Sequence, residues 1–174
     1  MDFFEVLKTR RSIRSFQKEE TIPDEKLKQI LESATDAPSA GNRQAWDFVV
    51  VTKTEIKKAL VKAALGQGFI ARSSVVVVVC ANQKRSAEVY GRRGVDLYSI
   101  QDTAAATQTM LLTITALGYG ACWVGAFSEF EVKKILNLPD GIRPMAIIPI
   151  GVPKRLPKPT PRIPVEDLIH YETY

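Results

Sequence analysis

Residues 75–81 read VVVVVCA, five valines followed by two small residues with no polar side chain among them. β-Branched side chains favour extended backbone, and successive residues of a strand point to opposite faces. A strand made of this run is apolar on both faces and has to be covered on both. The run is the longest unbroken apolar stretch in the chain, and it falls far short of the roughly 20 residues that a membrane-spanning helix needs.

The flanking segments supply the cover. DFFEVLKTR at the start has Phe3, Phe4 and Leu7 at helical spacing, and TIPDEKLKQILESATDA carries Leu27, Ile30, Leu31 and Ala34 on one face with Pro23 at a first helical position. APSAGNRQ breaks that helix into a loop, WDFVVVT reads as a strand, and KTEIKKALVKAALGQG reads as a helix ended by Gly66 and Gly68. VDLYSIQDTAAATQTMLLTITALGYG is a long helix, apolar nearly all round, whose only charges are Asp96 and Asp102; such a helix sits inside something. ACWVGAF follows as a short strand, SEFEVKKILNL as a helix with Ser128 and Glu131 in a capping box, and RPMAIIPIG as the last strand. The expected fold is α+β: a central mixed, mostly antiparallel sheet of about four to five strands packed with helices. At 174 residues and 45% hydrophobic composition the chain is expected to form one domain over residues 1–174. Residues 152–174 contain five prolines and are expected to form an extended C-terminal arm.

Charge narrows the partners. The net charge is +5, yet no Lys or Arg occurs from residue 95 to residue 132, so the basic residues do not form the single stripe of many nucleic-acid binders. Cys80 and Cys122 are far apart in apolar company, which offers neither a disulfide framework nor a metal-ligand spacing. The charged N-terminus lacks a signal-peptide core, so the expectation is a soluble cytoplasmic protein with no membrane or nucleic-acid partner.

Four motifs could carry chemistry, and each has a plainer reading beside it. In RRSIR an extended chain points Arg10, Ser12 and Arg14 one way and Arg11 and Ile13 the other, a receptor for phosphate or else a solvated basic helix end. PSAGNRQAW, with Pro38, Ser39, Asn42 and Gln44, either holds a polar heterocycle or caps helices. GYGACWVGAF lets backbone approach a flat ligand or pack tightly. KPTPR returns Lys158 and Arg162 after the basic-free interval, for binding or merely for solubility. His170, the only histidine, lies near the C-terminus, which argues against a nucleophile triad and excludes a histidine-rich metal site. There is no P-loop or dinucleotide glycine fingerprint, so an enzyme here borrows its chemistry from a cofactor, with no catalytic side chain and no metal.

RRSIRSF, APSAGNRQAW, GQGFI before the valine strand, LGYGACWVGAF after the apolar helix, and IPIGVP followed by PKPTPR occur in the order found in nitroreductase-like flavoproteins, and the chain resembles that family over essentially its whole length. The resemblance implies a homodimer with FMN at the subunit interface, hydride passing from NAD(P)H through the flavin N5 to a small electron-poor acceptor such as a nitroaromatic or quinone, in a ping-pong sequence. It implies that Arg10 and Ser12, with help from Arg11, meet the phosphate and ribityl chain, that Arg14 faces the N1/O2 edge, and that Lys158 and Arg162 close over the phosphate. Pro38, Ser39 and Asn42 belong to the loop that crosses the interface, Gln67 approaches the polar ring edge, and Val124, Gly125 and Ala126 run beside N5 and O4. Ala45 stands where the family loop often has Pro, and the interval NQKRSAEVYGRRG, read as a mobile lid or a partly ordered loop, is shorter than in members that roof the pocket. Other flavin chemistry on the same fold, or a basic binding module without catalysis, are the alternatives.

Overall fold

The computed structural model describes residues 1–18 and 20–174. In chain order its elements are α1 (Phe3–Thr9), α2 (Asp24–Thr35), β1 (Trp46–Val51), α3 (Thr54–Ala63), α4 (Phe69–Arg72), β2 (Val75–Asn82), α5 (Gln83–Arg93), α6 (Ser99–Ala116), β3 (Gly120–Ala121), α7 (Glu129–Leu136) and β4 (Ile142–Gly151).

The valine run is the middle of the sheet. β2 pairs with β1 on one side and β4 on the other, β3 adds to β4, and every ladder is antiparallel, in the order β1-β2-β4-β3. The expected sheet of four to five mostly antiparallel strands is thus found with four, and among the described residues the one parallel pairing is an isolated bridge between Ser12 and Ala121. Val75, Val77 and Val79 face a cluster with Ile30 of α2 and Met110 and Ile114 of α6, while Val76, Val78 and Cys80 face Leu60 of α3, Ile70 of α4 and Val132 of α7. The five valines are 4% exposed or less, and burying each contributes about 1.5 kcal/mol or more. The period-2 alternation thus divides one short sequence between two cores.

Three segments depart from the sequence-based expectation. The strand expected over ACWVGAF pairs as a ladder only at Gly120–Ala121 and resumes as a lone bridge between Val124 and Ile147. The break falls at Cys122, whose amide donates to the Pro149 carbonyl at 3.4 Å; Pro149 has no N–H to return the bond. The segment expected as a lid or a partly ordered loop is α5, started by Asn82, whose side chain accepts from the Arg85 amide. A π-turn over Gly94–Tyr98 then delays the regular part of the long helix to Ser99. Within α6 the buried Thr103 and Thr107 hydroxyls each donate to the carbonyl four residues back, at 2.9 and 2.7 Å, so these two polar side chains are buried without being orphaned.

Of the apolar residues of α1 only Val6 is buried, at 4% exposed; Phe3 and Phe4 are 62% and 70% exposed. The tail beyond Pro153 is exposed throughout, with only a single 3-10 turn at Val165–Leu168. Among the described residues no helix is long and apolar enough to cross a membrane, and no group of His, Cys, Asp and Glu is arranged to hold a metal ion.

Candidate functional site

The segment after α1 is held against the sheet edge by backbone bonds. The Ile13 amide donates to the Ala121 carbonyl at 2.8 Å, the Gln17 amide to Val152 at 2.9 Å and the Lys154 amide to Ser15 at 2.9 Å. Ile13 and Phe16 turn into the core as anchors. Gly120 is what allows this approach, because a Cβ there would lie 2.6 Å from Ile13 Cγ1 and 2.9 Å from Pro153 Cγ. At Gly120, tight packing is the correct reading of the glycine-flanked strand.

With the segment so fixed, a cleft of about 510 Å³ opens between it and the start of the C-terminal arm. Arg10, Arg11, Ser12, Arg14, Lys158 and Arg162 line it, joined by Lys8 and Thr160, and no carboxylate is among the lining residues. Cations drawn from opposite ends of the chain therefore share one space, with no acidic residue lining it among the described residues. Arg11 is partly committed already, since its Nη1 donates to the Lys8 and Arg10 carbonyls at the end of α1, at 2.6 and 2.8 Å. Arg162 Nη1 donates to Thr160 Oγ1 at 3.0 Å, and the Arg14 guanidinium carbon lies 6.0 Å from the Phe69 ring centre. Close behind Ser12 is the Cys122 thiol: burial pushes its pKa up, and the charge of Arg14, the Ser12 hydroxyl and the charge of Arg10 act against that rise. Cys80, in the sheet interior, is pushed up to about 12 by burial and by Asp47. Both thiols are buried and unpaired.

A second set forms where the turn before α4 meets the turn before α7. Gln67 Nε2 donates to the Ala126 carbonyl at 3.1 Å. Val124 exchanges both backbone bonds with Ile147, at 3.0 Å each, so its amide is used within the sheet. Gly125 and Ala126 are exposed, and among the described residues their amides have no acceptor, which leaves two adjacent donors for a ligand.

The third set stands apart from the cleft. Pro38, Ser39 and Asn42 lie in a loop that turns through positive φ at Gly41 (53°), Asn42 (53°) and Gln44 (48°). Ser39 Oγ accepts from the Gln44 amide at 2.9 Å and Asn42 Oδ1 from Gln44 Nε2 at 3.2 Å. Arg85 of α5 donates to the Gln44 and Trp46 carbonyls at 2.6 and 3.1 Å. From below, Asp102 of α6 accepts the Ala40 amide at 2.9 Å. Asp102 is 4% exposed, and among the described residues its Oδ2 has no hydrogen-bond partner. Burial pushes its carboxyl pKa up, with the Ala40 and Ala45 amides acting the other way. Sequence reasoning missed Asp102, Arg85 and Phe69 as neighbours of these sets. An acid inside an apolar helix was the available signal for the first; the other two carried none.

A nitroreductase family model matches residues 7–72 and 62–152 of the chain. The NADH dehydrogenase of Thermus thermophilus is 32% identical, over 92% of this chain and 91% of its own length. An FMN reductase [NAD(P)H] of Bacillus subtilis is 31% identical, over 98% of this chain and 74% of its own. Among solved structures, a nitroreductase family protein from Clostridium novyi NT superposes with a TM-score of 0.80 at 34% identity, covering 88% of this chain and 86% of that one. The NADPH:FMN oxidoreductase from Vibrio harveyi, solved with NAD+, gives 0.91 at 25% identity, covering 99% and 77%.

Proposed function

The chain belongs to the nitroreductase family, and from that premise we propose that this NAD(P)H-dependent flavin oxidoreductase uses FMN, works as a homodimer with the cofactor between subunits, and reduces a quinone or nitroaromatic by a ping-pong mechanism. The observation that carries the reading is the cleft lined by Arg10, Arg14, Lys158 and Arg162 with no carboxylate beside them. A phosphate dianion is the ligand such a space fits: guanidinium forks donate in pairs to phosphate oxygens and stay charged at any physiological pH. Its volume of about 510 Å³ lies within the range of small-molecule sites.

When bound, the flavin supplies the hydride exchange between nicotinamide and acceptor that no side chain of this protein offers. The chain's own residues bind and orient. Arg10 and Ser12 hold the phosphate end, with Lys158 and Arg162 closing from the arm; Arg14, packed beside Phe69, stabilises negative charge at the N1/O2 edge. The Gly125 and Ala126 amides are donors for the N5/O4 side, and Gln67, tethered to the Ala126 carbonyl, faces the polar ring edge. Ser39 and Asn42, which do not line the cleft of their own chain, serve the partner's cofactor. Exposed Phe3 and Phe4 of α1 and Leu156, Ile163, Leu168 and Tyr171 of the arm are apolar surface that a second copy would cover. Two buried unpaired cysteines suit a reducing cytoplasm.

The test is direct. Purified protein reconstituted with FMN shows a flavin absorbance band that bleaches under anaerobic NADH or NADPH and returns on adding a quinone, with parallel double-reciprocal plots. A protein that stays colourless and oxidises neither nucleotide overturns the proposal.

A further inference from the structure

The buried carboxylate of Asp102 is expensive where it stands. It is 4% exposed, it accepts one well-formed hydrogen bond from the Ala40 amide, the Ala45 amide adds a weaker favourable interaction, and among the described residues its second oxygen has no hydrogen-bond partner. A buried carboxylate so sparsely compensated costs stability, so its value lies in what it holds. That is the Ala40 amide, one residue after Ser39 and two before Asn42. The segment around it is held in a conformation that side chains adopt reluctantly, with positive φ at Asn42 and Gln44. A Cβ at Gly41 would be strained at its positive φ and would force the Tyr90 hydroxyl to shift. Backbone of this kind persists only where its surroundings over-determine it. Arg85 fixes the far end through the Gln44 and Trp46 carbonyls; Asp102 fixes the near end. A charged acceptor makes a shorter and stronger bond to an amide than a neutral one, and α6 is a rigid base from which to make it.

We propose that Asp102 is a positioning residue: its bond to the Ala40 amide sets the Ser39–Asn42 loop in the geometry that receives the flavin. The inference rests on the functional reading above. It separates affinity from stability, because removing Asp102 frees the loop and at the same time relieves a poorly solvated charge.

The experiment titrates FMN into the apo forms of wild type, Asp102→Leu, Asp102→Asn and Ala40→Pro, and records the thermal midpoint of each. Ala40→Pro deletes the donor from the other side of the bond; Ser39 is extended (φ −141°, ψ 154°), as a residue before proline prefers. Asp102→Leu and Ala40→Pro are expected to weaken FMN binding by about 10-fold or more, and the double variant no further, since both remove one bond. Asp102→Asn, which keeps the accepting oxygen, is expected within about 3-fold of wild type, and Asp102→Leu to melt no lower than wild type. Affinity unchanged in Asp102→Leu, multiplicative losses in the double variant, or equal damage in Asp102→Asn would each overturn the proposal. Should Asp102→Leu not fold, Ala40→Pro with unchanged FMN affinity overturns it alone. Wild type that binds no FMN refutes the functional reading instead.

Discussion

Replacing Arg10 and Arg162 together by Ala removes a cation from each wall of the cleft. Neither guanidinium makes an ion pair among the described residues, so no carboxylate is left orphaned, and the fold is expected to change by no more than about 0.5 kcal/mol. A hydrogen bond to a charged group contributes about 1.5–3 kcal/mol. Arg162 is exposed and Arg10 half-buried, so screening favours the lower end, about 3 kcal/mol for the pair. At roughly 1.4 kcal/mol per decade, FMN affinity should fall on the order of 100-fold. Riboflavin has the same ring and no phosphate, so its affinity should change by less than about 3-fold. Fluorescence titration of apo-protein with both ligands reads the ratio, and the loss for FMN should shrink as salt rises. Equal weakening of both ligands, or unaltered FMN binding, would refute the assignment of these arginines to phosphate.

Gly120→Ala drives a methyl group against Ile13 and Pro153; it should cost about 1–3 kcal/mol in urea unfolding and weaken FMN binding, because Ile13 anchors the cleft segment. Leu65 is 76% exposed at φ +54°, a conformation costing side chains about 1–2 kcal/mol, so Leu65→Asn should raise stability by roughly 0.5–1 kcal/mol; a lower urea midpoint would contradict this. Lys57 is buried, donates to the Ser73 and Ser74 carbonyls, and has its pKa lowered from 10.5 by burial. The folded state therefore holds fewer protons than the unfolded one between that lowered value and 10.5, so wild-type stability should gain on Lys57→Met as pH rises through this window. Urea unfolding of both proteins from neutral to alkaline pH checks it, and a pH-independent difference would contradict it.

The valine run, the helical spacing of Leu27, Ile30, Leu31 and Ala34, and the Ser128 cap are local signals, and each produced its element where periodicity put it. The arginine knot was equally visible, as was its answering pair in the tail. Local pattern misled where a distant partner decided the outcome. The strand at Cys122 breaks because Pro149 happens to lie opposite, and the stretch expected as a mobile lid or a partly ordered loop is helical because Asn82 caps it and Arg85 finds carbonyls beyond the helix. Phe3 and Phe4, read only as marks of a short helix, stand in solvent on that helix.

By itself the sequence determined most of the helices and strands, which of their faces are apolar and where arginines and lysines cluster, because these follow from side chains spaced a few residues apart. Only the tertiary structure decided that Arg10 and Arg162 line one cleft and that Asp102 reaches the Ala40 amide. Those meetings join residues remote along the chain, and their geometry is fixed by how two cores pack on a sheet rather than by any neighbouring side chain.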